Sequence, residues 1–327
     1  MYEKFYGLNQ NPFRMSPDPA FYYATARHNE ALANLTYGVL MQKGFIVLTG
    51  EVGTGKTLLV RCLLDTLHRN RVAHAYIFNP LLSPEDLLRM ILTDFGIRDV
   101  KQTKAEMLQQ FNEYLIEVYR HGGVTALIID EAQLLSPALL EEIRLMTNIE
   151  TSKHKLLQIV LVGQPELDEN LDSPELRQVK QRVSLHYSLE PLTDMEVRGY
   201  INRRLEVAGA RDRLLQIFPP PTLARILHYA HGIPRLVNTL CDGALVSGYG
   251  RQAATITPAI IEEVASDLRL SLKNTAAKMT GTPISGEHQG ADEELNRRTL
   301  VRTLLRLARL LEPGVESENR KSRGVAG

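Results

Sequence analysis

Short continuous apolar runs alternate along this chain with longer stretches in which apolar positions recur every three or four residues. The runs are Gly44 to Thr49, Val72 to Phe78, Ala126 to Ile129 and Leu156 to Val162. Runs without polar interruption fit strands covered on both faces by helices, as in parallel sheets. Between them, Leu58 to Leu64 opens one helix and Ser83-Pro84-Glu85-Asp86 opens another, with a capping residue, a proline in the first turn and early acids. Val183 to Leu189 is a further strand candidate, and from Thr193 to about Leu270 the pattern is helical throughout. A switch near Pro191 therefore predicts an α/β domain over 46–190, a parallel sheet with flanking helices, followed by a small α-helical lid domain over 191–270.

The two ends read differently. Residues 1–45 hold nine of the twenty aromatics, and Pro12, Pro17 and Pro19 fix a non-helical path, which predicts an aromatic strap packed on the α/β core. A flat apolar slot for a base is the other use such rings have. Residues 271–295 contain Gly, Pro, Ser, Thr and Asn with few apolar residues and read as a flexible linker. In 296–312, Leu300, Leu304, Leu307 and Leu311 share one helical face and Arg298, Arg302, Arg306 and Arg309 another. Such a basic amphipathic helix docks on its own chain, pairs with a copy, or lies on an anionic membrane surface. Residues 313–327 read as a disordered tail.

Composition narrows the classes. The 327 residues are 44% apolar, enough for two domains and a tail. Lys plus Arg and Asp plus Glu are both 38, so no global field draws the chain to nucleic acid, and such a contact would have to be local. Cys62 and Cys241 form no metal-ligand pattern and fall in segments read as different helices, which suits a reducing cytoplasm. No basic region followed by an apolar core opens the chain, and no apolar stretch reaches the length of a membrane span, so the expectation is a cytoplasmic protein, peripheral to the inner membrane at most.

The segment Gly50-Glu51-Val52-Gly53-Thr54-Gly55-Lys56-Thr57, leading into Leu58, is a complete G-x-x-x-x-G-K-[ST] loop between a strand and a helix. Its glycines let backbone N–H groups turn inward around phosphates, and the helix N-terminus adds partial positive charge. Lys56 is placed to reach the β and γ phosphates of ATP, and the Thr57 hydroxyl to bind Mg²⁺. The run Ile128-Ile129-Asp130-Glu131 ends a buried strand in two carboxylates. Asp130 would hold Mg²⁺ through water, and Glu131 would orient or deprotonate the attacking water, which makes the expected activity ATP hydrolysis.

The chain resembles the AAA+ ATPases of the ExeA/GspA type (general secretion pathway protein A-like), including those found beside exosortase and exopolysaccharide loci. The matching stretches are NPF, PDPAFYY, GFIVLTGEVGTGKT, LIIDEAQLLSPALLEEIRLMTNIET, LLQIVLVGQPEL, LRQVKQRVSLHYSLEPL and GIPRLVNTLCDGAL, over roughly residues 1 to 270. The resemblance implies a sensor 1 role for Gln164, against a turn-capping polar residue before Pro165. It implies an arginine finger at Arg182, supplied to a neighbouring subunit, with Arg177 as the competing candidate and a surface ion pair as the plain alternative for either. It implies sensor 2 at Arg235, against a helix-start arginine. It also implies a homo-oligomer, a ring in form, working with secretion or export machinery. ExeA-type proteins continue into a membrane span and a peptidoglycan-binding region for which this sequence has no counterpart, which sets a direct cell-wall role aside. Two rival readings are a DNA-associated regulator of the TnsC/TniB type, for which no Lys/Arg cluster speaks, and a slow nucleotide switch.

Overall fold

The computed structural model describes residues 1–78, 80–151 and 154–270. The linker expected at 271–295, the amphipathic segment 296–312 and the tail 313–327 lie outside the described residues.

Five parallel strands form one sheet in the order β2-β3-β4-β1-β5. They are β1 (Phe45–Gly50), β2 (Ala73–Ile77), β3 (Thr125–Ile129), β4 (Leu157–Val162) and β5 (Val183–Leu189). Every residue of the three central strands β1, β3 and β4 is buried, as their unbroken apolar runs require. Edge strand β5 alternates instead, exposing Ser184, His186 and Ser188. Successive side chains of the central strands point to opposite faces. Val47, Leu127, Ile129, Ile159 and Leu161 face the helices Pro84–Asp94, Lys104–Arg120 and Pro137–Met146. Ile46, Leu48, Ala126, Ile128, Val160 and Val162 face Ala26–Leu40 and Lys56–Arg69.

The helices start where side chains can accept the first free N–H groups. Ser83 accepts from Asp86 N and Ser136 from Leu139 N, while Thr103 with Glu106 and Thr193 with Glu196 form reciprocal capping boxes. Each cap contributes about 1 kcal/mol. The inner face of Lys56–Arg69 carries Leu59, Leu63 and Leu67 at helical spacing, all fully buried. Truncating one of them to alanine would cost about 2–5 kcal/mol, so this helix is anchored well beyond its propensity.

Beyond β5 come Asp194–Val207, Leu214–Ile217, Pro220–Ala230, Pro234–Gly250 and Pro258–Asp267, gathered around a core of their own that includes Val197, Ile201, Phe218, Leu240 and Ile261. Leu192 N donates to the carbonyl of Gly232 at 2.8 Å, tying the entry to this array to the turn before Pro234. Gly232 sits at φ +74 with its Cα so close to that contact that a Cβ would come within 2.1 Å of the Leu192 carbonyl oxygen.

The N-terminal aromatics differ from the expectation. Tyr2, Tyr6, Leu8 and Phe13 are buried in the core of the helical array, not on the sheet. Tyr6 OH donates to the Ala253 carbonyl at 2.9 Å, and the Phe13 and Phe218 rings meet edge to face at 6.2 Å. The helix Ala26–Leu40 is the part of residues 1–45 that packs on the sheet, through Ala31, Leu35 and Val39. Between these anchors, Arg14 to Asp18, Tyr22 and Tyr23 line one cleft together with the loop that follows β1. Among the described residues, no helix is long and apolar enough to cross a membrane.

Candidate functional site

The loop 50–57 joins β1 to the helix Lys56–Arg69 at the carboxyl ends of the strands, where ligands of open α/β sheets bind. Gly53 and Gly55 lie at φ +83 and +108, the left-handed region that favours glycine. Thr54 braces the loop by donating its hydroxyl to the Glu51 carbonyl at 2.8 Å. Glu51 and Val52 are exposed at the tip, whereas Thr54 and Lys56 are buried. The Lys56 ammonium donates to the carbonyls of Gly50 at 2.7 Å and Glu51 at 3.0 Å. Burial pushes the Lys56 amine below its ordinary value, against the charges of Glu131, Asp130, Glu51 and Glu166.

The neighbouring strand β3 brings the two carboxylates to this loop. Thr57 Oγ1 donates to Asp130 Oδ2 at 3.3 Å, and Tyr76 OH, from β2, donates to the same oxygen at 3.1 Å. Glu131 N donates to Asp130 Oδ1 at 2.9 Å. Burial holds the Asp130 carboxyl above the usual carboxylate range, while these hydrogen bonds pull it back. A hydroxyl and a carboxylate this close are hard oxygen donors of the kind Mg²⁺ takes, and Thr57 and Asp130 would be the residues to hold it. Glu131 is a non-glycine residue at φ 52 and ψ 37. Such backbone costs about 1–3 kcal/mol, kept where surrounding contacts enforce it. Its Oε2 accepts from Gln133 Nε2 at 2.6 Å and from Gln164 Nε2 at 3.3 Å. Gln164 stands just beyond β4, the strand beside β3.

A cleft open to solvent, with about 1080 Å³ of unoccupied space, extends from the loop across the strap to the helical array. Gly53 to Leu58, Glu131 and Gln164 line one side, and Leu192, Tyr200, Pro234, Arg235 and Asn238 the other. Arg14, Tyr22, Tyr23 and His28 supply the remaining wall. Arg235 is thus brought to the loop, its backbone N–H donating to the Gly53 carbonyl at 3.2 Å. Arg182 and Arg177 are not among the lining residues. Arg182 Nη2 contacts Asn148 Oδ1 at 3.5 Å, and Arg177 is exposed at the start of the short helix Arg177–Lys180.

Sequence reasoning missed Tyr76, Gln133 and His28. His28 Nδ1 pairs with Thr25 Oγ1 at 2.7 Å, and its Nε2 lies 3.4 Å from the Thr54 carbonyl. The clue for Gln133 was its place two residues beyond Glu131; Tyr76 and His28 carried no local signal.

Comparison with known proteins gives a consistent picture. The AAA domain family model matches residues 39–171. The chain is 44% identical over 252 residues to the general secretion pathway protein A of Aeromonas hydrophila, covering 77% of this chain and 45% of that protein. It therefore spans a little under half of that relative's length. Among solved structures, the ORC2 protein of Aeropyrum pernix in ADPNP-ADP complexes matches with a TM-score of 0.57 at 16% identity, over 79% of this chain and 72% of that one. The Cdc6p protein of Pyrobaculum aerophilum matches with a TM-score of 0.58 at 18% identity, over 77% and 71%. Identities this low speak to fold alone, and the fold is that of the P-loop AAA+ proteins.

Proposed function

We propose that this chain, which belongs to the AAA+ ATPases, binds ATP with Mg²⁺ in the cleft above the loop 50–57 and hydrolyses it at an interface between protomers. The nucleotide cycle then drives assembly or remodelling of a secretion or exopolysaccharide export system. The observation that carries the hydrolytic reading is the approach of Thr57, Asp130, Glu131 and Gln164 to one another at the end of the loop that holds Lys56. The secretion setting rests on the likeness to general secretion pathway protein A.

Each side chain has a physical task. The inward N–H groups of the loop and the helix N-terminus hold phosphate oxygens. Lys56 exchanges its two carbonyl partners for the β and γ phosphates, a charge kept close to the reacting atoms by the loop itself. Mg²⁺ held by Thr57 and Asp130 would neutralise charge building between those phosphates. Glu131 takes the proton of the attacking water, and Gln164 orients that water from the adjoining strand end. Arg235 carries a cation from the helical array onto the nucleotide, so phosphate release loosens the contact between the array and the loop. Arg182, outside its own cleft, is free to serve a neighbouring copy.

The test is phosphate release by the full chain over a range of protein concentrations, with Mg²⁺ and with chelator. Turnover should need Mg²⁺, and the rate per subunit should rise through the assembly transition. A rate independent of concentration would remove the shared site, and no turnover at any concentration would leave only a nucleotide-binding switch.

A further inference from the structure

Three hydrogen bonds link the ends of β3 and β4 into a closed ring. Gln133 Nε2 donates to Glu131 Oε2 at 2.6 Å, Gln164 Nε2 donates to that same oxygen at 3.3 Å, and Gln164 N donates to Gln133 Oε1 at 3.1 Å. Both ends of the Gln133 amide are therefore used, one on each strand end. We propose that Gln133 is the positioning residue of the hydrolytic site, fixing the Glu131 carboxylate and the Gln164 amide relative to each other so that they address one water.

The surroundings are built for this amide. Gly163, the residue after β4, leaves it room, since a Cβ there would come within 3.0 Å of Gln133 Oε1. Asn170 Nδ2, on the helix Glu166–Leu171 beyond β4, donates to the Gln133 carbonyl at 3.4 Å and steadies the short turn Ala132–Leu134. Glu131, at φ 52, turns away from the strand direction, so the strand itself does not dictate where its carboxylate points. Gln133 does, through the shortest of the three bonds. Without it, Oε2 would keep only the longer bond from Gln164, and the carboxylate and the amide would orient independently. Misplacement of a reacting group by about 1 Å costs on the order of a hundredfold in rate. Gln133 does not line the cleft, so it acts through Glu131 rather than on the substrate.

This inference rests on the ATPase reading, and its test separates the two. Gln133→Met keeps side-chain volume while deleting donor and acceptor, and Gln133→Ala deletes the side chain. In the full chain both should lower kcat by about tenfold to a hundredfold, with KM for ATP and affinity for a fluorescent ADP analogue within about twofold. A merely structural role would lower nucleotide affinity and thermal stability together. A second readout needs no turnover: in the nucleotide-free chain, the Tm losses of Gln133→Ala and Glu131→Ala should sum to more than the loss in the double variant, because both delete the same bond. Unchanged kcat in Gln133→Met, or strictly additive Tm losses, would overturn the positioning role. If the unaltered chain hydrolyses no ATP, the proposed function fails instead, and the Tm cycle still decides whether the ring holds Glu131.

Discussion

Gly53 and Arg235 touch through their backbones: the Arg235 N–H donates to the Gly53 carbonyl at 3.2 Å, and a Cβ on Gly53 would stand 2.7 Å from the Arg235 Cβ. The crown of the loop and the first turn of Pro234–Gly250 are therefore one contact, and it lies where a nucleotide would bridge them. Gly53→Ala puts a methyl into that contact at φ +83, a conformation that costs an L-residue about 1–2 kcal/mol. We expect the variant to remain folded, with nucleotide affinity at least about tenfold weaker. Equilibrium titration with a fluorescent nucleotide checks it, and undiminished affinity would mean that the array need not meet the loop for binding.

Lys56→Ala and Glu131→Gln should fail differently. The first removes the cation held at the Gly50 and Glu51 carbonyls and should lose nucleotide binding as well as turnover. The second keeps a polar side chain of the same length and should bind ATP normally while turnover falls by about a hundredfold or more. Binding and single-turnover measurements on both variants check this. Wild-type turnover in Glu131→Gln would move the water-activating role to another residue.

Mixing Arg182→Ala with Lys56→Ala subunits should restore part of the activity that each lacks alone, because one interface then pairs an intact loop with an intact finger. The Arg182 guanidinium contacts Asn148 and does not line its own cleft, as a group acting on a neighbour requires. The same mixture made with Arg177→Ala is the control. Recovery only with the Arg177 variant would transfer the assignment to that residue.

His28 makes the fold sensitive to acid. Burial holds its imidazole below the ordinary value of 6.5, more strongly than the Thr54 carbonyl and the Glu196 carboxylate favour the proton. Below that value the unfolded chain binds a proton that the folded chain resists, so stability is present in full above it and is lost as pH falls through it. Chemical denaturation between about pH 7.5 and pH 5.5 should show this loss, and His28→Asn should flatten it. An equal slope in the variant would assign the acid sensitivity elsewhere, though not to Asp130, whose raised carboxyl makes the folded chain the better proton binder and so acts in the opposite direction.

The central sheet was legible because burial on both faces writes itself as uninterrupted aliphatic runs, and β1, β3 and β4 fall within a residue of where those runs lie. The capped start at Pro84 was legible because a cap and its partner sit within one turn, whereas the Thr193–Glu196 capping box before Asp194 went unread. The loop 50–57 and the pair Asp130-Glu131 were legible for a similar reason, since their chemistry is carried by contiguous residues. The rest depends on distant partners. Tyr76 meets Asp130 across 54 positions, and Tyr6 meets Ala253 across 247. Aromatic content says that a strap is buried, not against what, and so its first residues were assigned to the wrong neighbour. A helix labelled only by its periodicity likewise does not reveal which cleft it will wall.

The first thirteen residues of the chain complete a core whose other members lie between Leu192 and Leu270. Tyr2 OH bonds Asp242, Asn9 N donates to the Ala208 carbonyl, and Arg204 Nη1 donates to the Pro12 carbonyl at 3.0 Å. The helical half is thus discontinuous in the gene, with the whole sheet inserted between its two pieces. Severing the chain at Pro191 would not yield two autonomous fragments: the second would lack Tyr2, Tyr6, Leu8 and Phe13 and present to water the hollow they fill. Dissection of this protein, or fusion of a foreign segment to Met1, acts directly on the half farthest away in sequence.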